Sequence, residues 1–532
     1  MSVRGSVKTA IATAVALVAI SAYFASGLLA SPTRASAAPH VGGSIVIDVT
    51  QDPGTLNPFQ DGGIEGNYVS SDIRDRLVDP SPQGQPAPAL ATSWSQPTPT
   101  SYIFNLRHGV RFSNGAPFTA ADVKYTFKEL LGPKSQLAGN WTYIKNVKVI
   151  NPYKVQIFMT SAYPFLLEQL ALNSDAGIVP NGWLSKCGSK CDTTVIGTGP
   201  FMLKQWVKGS FLTLARNPYY WGKPKPYLDQ VTFRVVPNPE SQVVQLKSGA
   251  ADVLYTVPYP YISVLKKSSG VRLYTHRSGT LMELLMNSSV PPFNNINVRK
   301  AMEYGINKQQ IIKTILLGFG AVPSGLVPAG NKYYDPSLKA YPYDPAKAKA
   351  LLATAGYTAS KPLSFTLRTI NTSYFESEAA LIQSQLKAIG VNINIVPMEK
   401  SAFLAPLFRS PGTNPKGWQG GLEQYTFGNS TESLVWEQYA AGSYINTSYV
   451  NRPGTGGFTD PTLQRLVTQG IATTNVAKLK RIYHQLYQRI EQDALYVRIS
   501  FADNIQAARS RVHGFQALSQ FEYPLSRVWV SG

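Results

Sequence analysis

Between Asn287 and Asn297 the chain cannot carry through any regular element it has begun, because Pro291-Pro292 removes two backbone donors and pins two φ angles. Just before the break, Leu281–Asn287 (LMELLMN) is an apolar run of strand length, which periodicity alone does not separate from a buried helix. Beyond it the spacing predicts a new helix, with Asn297 as N-cap and Val298, Ala301, Met302 and Gly305 on one face. Asn307 and Gln310 have the spacing of a capping box, Ile311, Ile312, Ile315 and Leu316 follow as a second apolar stripe, and Gly318 is a stop. The break reads as the point where one lobe ends and another begins.

With 532 residues the chain can bury large cores and has room for two to four domains. Met1–Ala37 reads as a secretory signal: Arg4 and Lys8 form the basic n-region, Thr9–Ala30 is uncharged and mostly apolar, and Ala35-Ser36-Ala37 is a cleavage site. The apolar run is also long enough to span a bilayer, so a retained membrane anchor is the alternative. Arg4, Lys8 and Arg34 take three of the +20 formal charges, leaving +17 on the mature chain. Those basic residues are scattered singly, which excludes a nucleic-acid groove and leaves at most attraction to an anionic envelope surface. Cys187 and Cys191 are read as a disulfide pinning a small loop; as a metal site they lack a nearby His, and two thiolates do not complete a tetrahedron.

Several blocks recur along the remaining chain. Gly43–Asp48 feeds a strand into the turn cluster Asp52-Pro53-Gly54-Thr55-Leu56-Asn57-Pro58, and Glu65–Val78 has helical spacing. Tyr102–Arg107 alternates as a strand, Gly109–Gly115 (GVRFSNG) turns at Asn-Gly, and Pro117–Val123 (PFTAADV) starts a helix with Thr119 as N-cap and Asp122 three residues on. Asn146–Met159 reads as a hairpin and Ala162–Ala171 as a helix. Ile196–Phe201 (IGTGPF) lacks the third glycine of a phosphate cradle, and Pro200 removes a donor such a cradle would use. Asn217-Pro218-Tyr219-Tyr220-Trp221 follows. Later, Asp344–Tyr357, Glu378–Ile389, Asp460–Gly470 and Ala477–Ala494 read as helices, and Val391–Ile395 and Val497–Phe501 as strands.

These blocks, with Pro-Phe-x-x-x-x-Val-Arg-x-Ala at 292–301, resemble the extracytoplasmic solute-binding proteins of ABC importers, family 5, over Gly42 to the C-terminus. The resemblance implies an α/β, two-lobe periplasmic-binding-protein-like fold of type II, in its large form with an extra inserted subdomain and discontinuous lobes joined by a hinge. It apportions 39–87, 196–288 and 490–532 to lobe I, 88–195 to the inserted subdomain and 289–489 to lobe II. It implies a solute enclosed between the lobes, a membrane permease as partner, no cofactor, a monomer, and a location in the periplasm or on the outer face of the cytoplasmic membrane or cell wall.

In peptide-binding relatives a motif like W-x-x-D-Y supplies an acid for the peptide amine. Matched on Trp418, that acid falls on Gly421 of Gly417–Tyr425 (GWQGGLEQY). Glu423 is then the replacement from a shifted register, and Trp418 is either a cleft platform or a core residue. The resemblance further places Gln419, Tyr425, Glu65, Tyr68 and Tyr255 at the cleft. It implies an oligopeptide or peptide-like solute; the missing acid and the aromatic content make an oligosaccharide the alternative, sparse His makes nickel a weaker one, and an envelope chaperone or sensor is the reading from another class.

Catalysis finds no support in the motifs. Five histidines are far apart in sequence with no H-E-x-x-H, Ser263-x-x-Lys266 has neither partner motif of a serine acyltransferase, and there is no G-x-S-x-G or Walker A pattern.

Overall fold

The computed structural model describes residues 38–532 except 61–62, 82–84, 332, 405–417, 427–437, 442–445, 447, 449, 451–458, 474 and 517–523. The signal segment lies outside the described residues, and among those described no helix is long and apolar enough to cross a membrane. The chain enters its main sheet at β1 (Ser44–Val49) and leaves it for a four-stranded antiparallel sheet of β2 (Ala91–Thr98), β3 (Ser101–Leu106), β4 (Ile144–Asn151) and β5 (Lys154–Met159). It returns as β6 (Phe201–Val207), β7 (Phe211–Arg216), β8 (Gln230–Val235) and β9 (Val253–Leu254), then runs through the sixteen-residue β10 (Val271–Met286). Past the Pro-Pro break come β11 (Gly320–Ala321), β12 (Leu363–Ile370), β13 (Val391–Met398), β14 (Gly420–Thr426) and the fourteen-residue β15 (Tyr496–Arg509).

The main sheet has the order β13-β12-β14-β10-β15-β9-β1-β8-β7-β6, with β11 alongside β15. Among the described strands, only β10 and β15 belong to both halves. Leu285 to Thr280 of β10 pair with Tyr496 to Ala502 of β15; after a register break between Arg277 and Thr280, Arg277 to Val271 pair with Asp503 to Arg509. At the same point β15 changes its other neighbour, from β11 at Phe501 and Ala502 to β9 at Ala507 and Ala508. The apolar run at 281–287 is thus a strand, extended well beyond its hydrophobic core.

Helix starts depart from the sequence reading in several places: the helix expected from Glu378 begins at Ser373, the one expected from Ala162 begins at Leu166, and two caps differ in detail. Thr119 and Asp122 close a capping box on α2 (Ala120–Leu130), which comes after α1 (Gly63–Ile73), with the Asp122 carboxylate accepting the Thr119 N–H at 2.7 Å. The cap of α3 (Ile296–Gly305) is Asn295, two residues earlier than expected, its side chain accepting the Asn297 N–H. On α4 (Lys308–Thr314) Asn307 accepts from the Gln310 N–H as expected, but the Asn307 N–H donates to Gln385, whose amide nitrogen donates in turn to Gln310. A side chain from α5 (Ser373–Lys387) therefore completes the box that the local spacing assigned to Gln310.

The glycine-rich block at 196–201 is a knot. A Cβ at Gly197 would overlap the Ile73 carbonyl oxygen at the end of α1, and Gly199 N–H donates to the same oxygen at 2.9 Å. Thr198 Oγ1 and Trp221 Nε1 both donate to the buried Asp75 carboxylate, at 2.9 and 2.6 Å, and Asn217 Nδ2 donates to the Gly199 carbonyl. The G-T-G-P and N-P-Y-Y-W blocks thus hold α1 against the sheet.

On the other side of the crossing strands, Ile312, Leu316 and Ala502 form a small apolar cluster that packs Tyr259, which follows β9, against Tyr374 of α5. Glu378, one turn beyond Tyr374, is fully buried. Burial pushes its carboxyl up to about 8, with partial relief from Tyr374. A raised carboxyl favours the folded state below its unfolded value and loses that contribution as pH climbs through the folded value. Glu378→Gln, which keeps the shape of the protonated acid, is expected to flatten the fall in stability between pH 6 and 8 by about 2 kcal/mol; urea titrations of both proteins across that range check it.

Candidate functional site

Strand direction fixes where a ligand can sit. β1, β8 and β9 are mutually parallel, as are β12, β13 and β14. Because β9 runs antiparallel to β15, its carboxyl end leads toward the register break: Val257 N–H donates to Ile505 and Tyr259 Oη to the carbonyl of Asp503. Because β14 runs antiparallel to β10, its last residue, Thr426, stands opposite Thr280 at the same break. Both halves therefore turn the carboxyl ends of their parallel strands to the place where β10 and β15 pass between them, the position at which open α/β sheets bind ligands.

From the first half, Glu65 near the start of α1 is 6% exposed and accepts from Thr50 Oγ1 just past β1 at 3.1 Å. Burial raises its carboxyl, opposed by hydrogen bonds to its own backbone N–H, Thr50 and Gln51 and by the charge of Lys400. Tyr68, one turn on, meets Tyr255 edge to face at 4.8 Å; Tyr255 also stacks on Phe515, which contacts Tyr274 of β10. Tyr68 and Tyr255 are thus rings of one buried aromatic wall.

From the second half, Glu423 and Tyr425 alternate on β14 toward one face and are both buried. Glu423 stands directly opposite Glu283 of β10, which stands opposite Arg498 of β15. Burial pushes the Glu423 carboxyl up to about 8; Lys400 opposes this and Glu283 adds to it. Glu283 is driven up to about 7 by burial, against the pull of Arg498 and a hydrogen bond from Gln438. Lys400, at the start of α6 (Lys400–Leu404) beyond β13, is exposed and acts on both Glu65 and Glu423.

Trp418, Gln419 and Gly421 are not part of this arrangement. Trp418 precedes β14, eight residues from Thr426, so roughly 25 Å of strand separates it from the break. Its indole is 1% exposed within the main core, and its carbonyl accepts from Asn287. The surroundings support the core alternative for this ring. The Gln419 amide is spent on Thr366 N–H and the Pro291 carbonyl. A Cβ on Gly421 would meet the ring of Phe403 at 3.4 Å, so an aromatic side chain from α6 occupies the space beside it. Residues 427–437, which follow β14 in the sequence, lie outside the described residues.

Sequence reasoning passed over Lys400, Glu283 and Arg498. Lys400 had one usable signal, its place just past the carboxyl end of an alternating strand. Cys187 and Cys191 are joined by a disulfide in the loop before β6, away from these residues in the chain. Among the described residues no group of three or more His, Cys, Asp or Glu is placed to hold a metal ion.

Two half-sheets that present carboxyl edges to each other across two continuous strands give the two-lobed, type II binding-protein fold. The model for bacterial extracellular solute-binding proteins, family 5 Middle, matches residues 85–432, and the chain belongs to that family. It is 28% identical to the nickel-binding periplasmic protein of Escherichia coli K12, over 82% of this chain and 84% of that one. Against the periplasmic oligopeptide-binding protein OppA of the same organism it is 25% identical over 87% of each. A solved structure of the binding protein AgaA from A. tumefacien R10, in complex with agropinic acid, superposes with a TM-score of 0.79 at 25% identity, covering 92% of this chain and 99% of that one.

Proposed function

We propose that this chain is the extracytoplasmic receptor of an ABC importer, that it captures an oligopeptide or peptide-like solute between its lobes, and that it delivers the solute to a membrane permease without chemistry of its own. The observation that carries the reading is the convergence of both carboxyl edges at the crossing of β10 and β15, with the charge of one lysine, Lys400, acting on Glu65 of one half and Glu423 of the other. Lobe I is assigned 39–87, 196–288 and 490–532, and lobe II 289–489, with the four-stranded sheet in the inserted 88–195. Glu65, Tyr68, Tyr255, Glu423 and Tyr425 are assigned to the binding cleft. The protein works as an exported monomer. A relative that binds oligopeptides over nearly the whole length supports the solute class.

Native mass spectrometry of protein purified from its own host tests the reading, followed by thermal shift with peptide and oligosaccharide pools. Peptides of mixed sequence and constant length are the expected co-purifying mass. Stabilisation by saccharides alone would overturn the solute class and leave the receptor role standing.

A further inference from the structure

The loop that follows β11 leaves a space beside the strand crossing. Val322, Val327, Pro328 and Ala329 of that loop line, with Phe501 and Asp503 of β15, a cavity of about 50 Å³. Ser324 and Tyr334 add two hydroxyls to a wall that is otherwise mostly hydrocarbon. The loop is held in place. Leu326, Val327 and Tyr333 are buried in the main core, and Tyr333 meets Tyr483 edge to face at 5.3 Å. Asp335 Oδ2 lies 2.6 Å from Nδ1 of His484 on the same helix, Val476–Asp493. Pro323 and Pro328 fix φ at two further points. Packed interiors leave few voids, so a space kept open by fixed walls is preorganised for a guest.

Register joins this cavity to the candidate cleft. Tyr425 of β14 and Phe501 of β15 both stand opposite Leu281 of β10, and directly opposed residues share a face of the sheet. Asp503, two residues beyond Phe501, lies on that face too, and its carbonyl accepts the Tyr259 hydroxyl arriving from the first half. Size and lining then choose the guest. A pocket for a whole solute needs about 300 Å³ or more, and a benzene ring has been held by a cavity of about 150 Å³. The space here takes the end of one aliphatic side chain and no aromatic ring. An alkyl group gains from burial against valine, proline and phenylalanine, while Asp503 disfavours a carboxylate. We propose that this cavity is a side-chain subsite of the receptor, taking one short branched aliphatic group of the solute, of valine to leucine size. The inference rests on the solute-receptor reading and deepens it, because it names a side chain that the solute carries.

Isothermal titration calorimetry of the full-length protein tests it, with tetraglycine and with tetraglycine variants carrying one valine, phenylalanine or lysine at each position in turn. Valine at one position is expected to tighten binding about 10-fold over glycine, and phenylalanine or lysine at that position to give no gain. Ala329→Phe and Val322→Phe each put a ring into the space and are expected to abolish the valine gain, with tetraglycine bound as before. Ala329 is exposed, so its replacement leaves the core packing untouched. Xenon, followed by its NMR shift, probes the cavity independently of the solute and is expected to enter the wild-type protein and to be excluded from both variants. No valine gain at any position, a gain that survives both substitutions, or a larger gain from lysine or phenylalanine overturns the subsite; with tetraglycine still bound, the peptide receptor stands. Xenon excluded by the substitutions, with no peptide bound, upholds an apolar subsite and removes the peptide reading. No peptide bound, and a xenon shift that the substitutions leave unchanged, overturns both.

Discussion

Arg498→Met is expected to destabilise the folded protein by about 3–5 kcal/mol, because it leaves buried carboxylates without their cation. Arg498 is 2% exposed and joins Glu283, Glu491 and the Tyr439 hydroxyl from near the start of the crossing strand. A shift of the urea midpoint at unchanged slope measures it. The sign of the pH effect follows from the two acids, both already held at about 7 with the arginine present. Without it, protonation neutralises them at lower pH, so the defect is expected to shrink from pH 8 to pH 6. Adding Glu283→Gln is expected to return part of the loss, since it removes one of the charges left behind. An equal defect at both pH values would mean that Arg498 acts through packing alone.

Trp418→Ala is expected to cost about 3–5 kcal/mol by opening a cavity in the core of the second half. The protein that remains folded is expected to keep the wild-type affinity, because the indole is 1% exposed and lies at the far end of β14 from the strand crossing. Denaturation curves beside binding measurements at low temperature separate the two effects. Loss of affinity with stability intact would return Trp418 to the cleft.

What the sequence made legible were features written over a few neighbouring residues. The Thr119–Asp122 cap, the hairpin expected at 146–159 and found at 144–159, and the strand expected at 391–395 and found at Val391–Met398 each announce themselves by local spacing. The crossing strand β15 did not: five residues were expected and fourteen form, because nearly all of them are buried and the alternation that marks a one-sided strand is missing. The same limit governs the site. Lys400, Glu283, Glu423 and Arg498 come from four separate strands or their ends, and their juxtaposition is created by register across β14, β10 and β15. A motif matched on Trp418 misled because a tryptophan satisfies a core as readily as a cleft, and only strand direction tells which end of β14 faces the other half. Family blocks such as G-T-G-P and N-P-Y-Y-W were legible as blocks, whereas their role in anchoring α1 through Asp75 needed the contacts themselves.

The last strand of the main sheet has a bearing on how such a molecule is made. β9 and β10 each take β15 as a neighbour, and no described strand other than β15 joins the first half of the sheet to β10. Residues 496–509 are also synthesised after every other described strand of the main sheet. Amino-terminal domains of large proteins commonly fold while the rest of the chain is still emerging; here the two halves of the sheet cannot be joined until β15 has emerged. For a member of an extracellular family that delay is useful, since a chain that cannot finish folding during translation reaches the export machinery still able to be threaded through it.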